Sequence, residues 1–429
     1  MSEQAALVAM ESSGTPERWR VLAATFLSYL YDSFDLVILA IAMPVLMKVL
    51  HITMAQGGLL ASVTMVGAAI GSIVIGMIAE NRGRKFAVVL SLCAFGIGDL
   101  FVFLIGSWGQ WMVLRLINGM AIGGVWGPCV ALISRHWAPR YRARAGASML
   151  STFAIGAIAA SLVGRLVLSY DWRLLFLVGS TAILAAACVW WAVPDDSPKM
   201  ISGPVQAGKA KERVGLSNIF HGEIGRRTVL ATILNAFSMG GYWGAATWIP
   251  SFLTRERGLS LGTMANFSLV IYVGMFFGYQ VFGYLGDQIG RKRSIMWSSI
   301  TCAVAIPIYI VIANGLVMFW WGMVVGFGFG GVFGVMGAYF AELFPENIRA
   351  LAGGFCFNVG RIGAVIAPFT VGVLGQTYGL RVGLTVASST FVLGLVILVL
   401  LPETATISSK APAGTVCLGD AGKSSCSSS

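Results

Sequence analysis

Twelve apolar stretches follow one another along this 429-residue chain, with mostly short polar segments between them. They run roughly over 21–47, 57–79, 86–106, 111–134, 145–168, 174–193, 228–250, 266–286, 294–313, 316–340, 351–375 and 382–401. About 20 predominantly apolar residues cross the ~30 Å hydrocarbon core of a bilayer as a helix. No water inside hydrocarbon satisfies the backbone, so spans of this length are forced to be helical. The expected fold is an all-α membrane protein of twelve transmembrane helices. Composition agrees, with 11% charged residues against about 25% in a soluble domain. The 54 glycines and 13 tryptophans fit close helix contact and interfacial anchoring.

The polar segments set the orientation. Twenty-one of the 29 lysines and arginines fall on one set of loops and tails, five on the other and three within spans. Basic residues favour the cytoplasm, so both termini are expected inside. The net charge of +11 is therefore assigned to this bias and not to nucleic acid. A tail over 1–20, a six-helix half over 21–193, a cytoplasmic loop over 194–227, a second half over 228–401 and a disordered tail over 402–429 are expected. The N-terminus has acids and no cleavage site, unlike a signal peptide. The seven scattered cysteines suggest neither disulfides nor a metal. His51, His136 and His221 lie at or outside the span boundaries, and no nucleophilic triad is visible, so an enzyme is not expected.

The two halves repeat. GMIAENRGRK at 76–85 matches GYLGDQIGRK at 283–292, and RHWAPRYRARAG at 135–146 matches ELFPENIRALAG at 342–353. Gly67 and Gly71 match Gly274 and Gly278 in the same register. Two halves in parallel orientation are one arrangement of a secondary transporter, with the site between them.

These residues resemble the major facilitator superfamily. Its loop motif joining spans 2 and 3 is similar to Gly76, Glu80, Asn81, Gly83, Arg84 and Lys85. The second copy is Gly283, Asp287, Gln288, Gly290, Arg291 and Lys292. Both copies lack the arginine after the acid, and the first has Glu for Asp, which alters the charge network. The resemblance implies that this motif gates the conformational change. Arg115, Asn118, Gly119, Gly123 and Gly124 resemble the superfamily's span 4 pattern. Within the superfamily, Asp32 and Asp35 with Ser33 between them, and GRIGAVIAP at 360–368, look like the aromatic acid/proton and sialic acid/proton symporters. Span 5 lacks the Gly-Pro signature of drug antiporters. Arg135 stands where many relatives, and the second half at Glu342, carry Glu. A monomer in the plasma membrane, a bacterial inner membrane, is the implied state.

A charge in mid-membrane costs about 2.5–3.5 kcal/mol on insertion scales and marks a functional candidate. Asp32 and Asp35 lie about 60° apart on one helix and share one face, which can point into a central cavity. An apolar setting and a nearby like charge are what a proton-exchanging carboxylate needs. Asp99 in span 3 is a weaker proton-coupling candidate. Arg361, near the middle of span 11, offers a planar fork for an anionic substrate. A structural role stays open for each: the acids can hold helices together, and Arg361 can be their permanent partner. Tyr29, Tyr31, Arg115, Trp126, Tyr242, Trp243 and Asn358 complete the substrate-binding candidates. The glycines at 326–334 suggest close helix contact and not a phosphate loop.

The expected function is proton-coupled symport of a small organic carboxylate, an aromatic acid, a sialic acid or a hydroxy acid. The proton gradient would drive it, with no cofactor and no metal. The expected partners are the organic anion, protons and the lipid bilayer. An exporter or antiporter of the same fold, and a transporter-like sensor, are the alternatives.

Overall fold

The computed structural model describes residues 15–137, 139–195 and 216–404. Most of the expected N-terminal tail, much of the expected loop over 194–227 and nearly all of the expected C-terminal tail lie outside the described residues. The first half comprises α1 (Thr15–Val49), α2 (Met54–Arg82), α3 (Arg84–Phe101), α4 (Trp108–Gly123), α5 (Trp126–His136), α6 (Pro139–Val167), α7 (Arg173–Ser180) and α8 (Ala182–Ala192). After a short 3₁₀ turn over Leu216–Phe220, the second half comprises α9 (Gly222–Arg255), α10 (Leu261–Ile289), α11 (Arg291–Val311), α12 (Gly315–Leu343), α13 (Arg349–Gly360), α14 (Ile362–Tyr378) and α15 (Leu380–Val399).

Among the described residues, ten helical stretches are long and apolar enough to cross a membrane. Of the other expected spans, α3 carries Arg84, Lys85 and Asp99 within 18 residues. The remaining one, α9, is diluted by Asn235, Ser238 and a Gly-Gly-Tyr-Trp-Gly run.

Three expected single helices are interrupted. Span 4 breaks between α4 and α5, span 6 between α7 and α8, and span 11 between α13 and α14. At each break an N–H turns to the carbonyl three residues back: Gly124 to Ala121, Thr181 to Val178 and Arg361 to Asn358. These are tightened 3₁₀ turns. At Thr181 the hydroxyl also donates to the Val178 carbonyl, at 2.6 Å, competing with the helix ladder. The first helix also starts earlier than expected. Its opening turn docks on the end of α5, with Trp19 edge-on to Trp137 and Glu17 3.7 Å from His136.

Duplication reappears in the packing. Gly67 and Gly71 of α2 face the carbonyls of Leu116 and Met120 in α4. Gly274 and Gly278 of α10 face those of Met323 and Phe327 in α12, the same register in the second half. Gly119 and Gly123 return the contact to Thr64 and Ala68, as Gly326 and Gly330 do to Ile271 and Met275. Bare glycine backbone lets each helix pair approach closely where lipid supplies no hydrophobic drive. Gly83 and Gly290, at matching places in the loop motif, have φ of 100° and 105°. That backbone lets the chain leave one helix and start the next within a single residue.

The halves meet along α2 with α14, α6 with α10, and α1 with α9. At one end they are sealed. Gly58 lies against the Pro368 carbonyl and Ala55 N–H donates to Gln376 Oε1 at 3.3 Å, while Trp248, within the second half, braces the same Pro368 carbonyl at 2.8 Å. At the other end, which carries the loop motif, they part around a cavity of about 470 Å³.

Candidate functional site

Two polar groups lie within the bundle. The first is closed. Arg115 of α4 places Nη1 3.4 Å from Asp35 Oδ2 of α1 and Nη2 4.0 Å from Asp99 Oδ1 of α3. Asn118, one turn along α4 and on the same face, donates to Asp99 Oδ1 at 3.2 Å. Side chains of Arg115, Asp99 and Asp35 are 0, 0 and 1% exposed. Glycine makes the space, because a Cβ on Gly98 would overlap Asn118 and one on Gly179 would overlap Asp99. Arg115 also lies over the rings of Phe176 and Trp111, at 5.0 and 5.6 Å. One guanidinium thus serves two carboxylates in an apolar shell, with Asp35 Oδ1 and Asp99 Oδ2 left without hydrogen bonds. A void of about 10 Å³ touches Asp35 and Arg115 from the sealed end, beside Trp243 and Pro368.

The second group is open. Arg361 sits in the break between α13 and α14, held by the chain turning there. Asn235 of α9 fixes that turn by donating to the carbonyls of Cys356 and Phe357, at 3.3 and 3.1 Å. Arg361 Nη1 donates across the halves to the Ala68 carbonyl of α2 at 3.2 Å, and its guanidinium lies over the Phe357 ring at 5.6 Å. Phe357 also stacks on Trp126, 5.2 Å away at 17°. Arg361, Trp126 and Asn358 line the large cavity. The Asn358 side chain donates to the Gly354 carbonyl at 3.0 Å. Asp32 and Tyr29 lie within electrostatic reach of Arg361. Asp32 is buried, its Oδ1 has no hydrogen-bond partner, and among the described residues no cation lies within 4 Å of its carboxylate.

The expectation that Asp32 and Asp35 act side by side in one cavity therefore needs correction. Three residues along α1 separate them into different settings: Asp35 is held by Arg115, whereas Asp32 faces the Arg361 group. Arg115 is likewise enclosed by Asp35, Asp99 and two rings, not presented to the cavity. Tyr31 is also displaced from its expected place. Its hydroxyl pairs with Thr181 Oγ1 at 2.8 Å, toward the α7–α8 break. Tyr29, Tyr242 and Trp243 gather around Phe153, at 6.1, 6.4 and 6.4 Å between ring centroids. That cluster draws on α1, α6 and α9 and so joins the halves. Asn118 and Asn235 were not among the expected site residues. The spacing of Asn118 to Arg115 is a usable signal, whereas Asn235 is marked only as a lone polar residue within an apolar span, a pattern more often packing than site.

The two copies of the loop motif differ. In the second, Arg291 pairs with Asp287 at 2.6 Å and with Glu342 at 3.2 Å. Glu403 accepts from the N–H groups of Lys292 and Arg293, at 3.0 and 3.3 Å, an acid at a helix N-terminus. Gly290 gives it room, while among the described residues nothing packs where a Cβ on Gly283 would lie. In the first copy Gly76, Glu80 and Arg84 instead line the cavity, together with Arg135.

Paired helical halves around a cavity that opens at one end and carries charged side chains on its wall define a membrane carrier of small solutes. The chain belongs to the major facilitator superfamily, whose model matches residues 25–281 and 264–419. It is 28% identical over 378 residues to the cis,cis-muconate transport protein of Acinetobacter baylyi, covering 87% of this chain and 92% of that one. It is 23% identical over 391 residues to a sialic acid transporter of Escherichia coli, covering 90% and 94%. The crystal structure of a D-xylose-proton symporter shares the fold, with a TM-score of 0.76 at 16% identity over 91% of this chain and 99% of that one. This protein is a multi-pass transporter of the bacterial inner membrane and not an enzyme.

Proposed function

We propose that this transporter imports a small organic carboxylate together with protons. One observation carries this reading: Arg361 lies on the wall of the large cavity, with the ion-pair-free carboxylate of Asp32 nearby. An arginine fork binds a carboxylate with two parallel hydrogen bonds. Substrate and Asp32 then compete for one guanidinium. A protonated Asp32 releases Arg361 to the substrate, and loss of the proton draws Arg361 back. Asp35 and Asp99, already sharing Arg115, hold α1, α3 and α4 together. Twelve spans with both termini in the cytoplasm put the cavity mouth inside the cell. The halves then rock about the site to give alternating access, in a monomer driven by the proton gradient without a cofactor.

The relatives' names supply the first probes, cis,cis-muconate and sialic acid. In proteoliposomes with a pH gradient, uptake of a bound probe is expected to acidify the lumen. Asp32→Asn should keep substrate exchange at equal pH and lose gradient-driven accumulation. Arg361→Ala should lose binding of every carboxylate. Full accumulation by Asp32→Asn would rule out the coupling role.

A further inference from the structure

The repeat and the cavity together expose a charge reversal that the anchor at Arg361 does not use. In the second half, Asp287, Arg291 and Glu342 place two acids around one arginine, a net charge of minus one. Their counterparts in the first half are Glu80, Arg84 and Arg135. There one acid and two arginines stand on the cavity wall, and their net charge is plus one. All three line the cavity that also holds Arg361. Arg135 is exposed, and among the described residues no acid pairs with it. Trp126 marks the level of Arg361 through its stack on Phe357. Nine residues further along α5 stands Arg135, a rise of about 13 Å. Arginine side chains reach several ångströms from either end, leaving between them a gap the length of a short carbon chain.

We propose that Arg135 is a second anion subsite and that the cavity selects dicarboxylates, one carboxylate on Arg361 and the other on Arg135. This rests on the Arg361 anchor and deepens it. A monocarboxylate of the same length satisfies only the inner guanidinium and leaves that of Arg135 unmatched.

The test uses the full-length protein in detergent, with hexanedioate and its monomethyl ester as matched probes. Binding is followed by isothermal titration and by fluorescence of Trp126, against Trp126→Phe as control. Wild type is expected to bind the diacid about fivefold more tightly, the upper end for an exposed ion pair. Raised salt should shrink that ratio. Arg135→Gln should bring it to about one without weakening the ester, and Arg135→Lys should keep part of it. An unchanged ratio in Arg135→Gln overturns the subsite. So does a wild type that does not prefer the diacid or binds neither probe. Arg361→Ala separates the two readings. Retained binding of both probes there defeats the anchor, whereas loss of both, with Arg135→Gln behaving like wild type, defeats the subsite alone.

Discussion

Asp32 and Asp35 have the same chemistry, three residues apart on one helix, and their neighbours divide their work. Asp35 shares Arg115 with Asp99, so the three form a unit whose members cannot be removed independently. Arg115→Ala leaves two carboxylates in an apolar shell with no cation and is expected to cost about 3–5 kcal/mol. Asp99→Asn keeps one acid for one base and should cost much less. Added to Arg115→Ala, it should recover part of the loss. Asp32→Asn removes a group that has no ion pair and should leave stability near wild type. Scanning fluorimetry in detergent reads all four, and an unshifted midpoint in Arg115→Ala would show that the cluster is dispensable for folding. The acids themselves were legible in the sequence because charge is rare in hydrocarbon. Their division was not. Helical spacing fixes an angle on α1, but the partner that decides the role of Asp35 comes from 80 residues away.

At the scale of helices, glycine sets the distances. Gly119 faces the Thr64 carbonyl and Gly326 the Ile271 carbonyl at corresponding places in the two halves. A β-branched side chain at either must push backbone from backbone, with a cost of about 1–3 kcal/mol for overpacking. Gly119→Val and Gly326→Val should therefore lower the thermal midpoint by similar amounts. A large effect of one and none of the other would mean that the halves do not share a packing design. Span positions were readable because the bilayer fixes length and polarity together. The breaks at Gly124, Thr181 and Arg361 were not, since they interrupt hydrogen bonding without interrupting hydropathy. Arg361 owes its place to such a break, and Asn235, 126 positions earlier, secures it from another helix.

The whole molecule is closed at one end and open at the other, and the closed end depends on α2 meeting α14. Gly58 is the tightest point, with Pro368 and Phe369 backbone where its Cβ would be. Alternating access requires this seam to part when the cavity end closes. A bulky residue at Gly58 penalises only the sealed state. An overpacking cost of about 1–3 kcal/mol changes the ratio of two states by about 5- to 150-fold. Gly58→Trp is therefore expected to move the protein toward the arrangement open at the opposite end. Spin labels on a cysteine-free background at His51, between α1 and α2, and at Tyr378, at the end of α14, report the seam from opposite halves. Wild type should give a single short distance and Gly58→Trp a longer one, with substrate trapped or excluded and net flux lost. An unchanged distance distribution in a folded Gly58→Trp protein would mean that the seam is a fixed joint. The moving parts of the transport cycle would then have to be sought within each half and not between them.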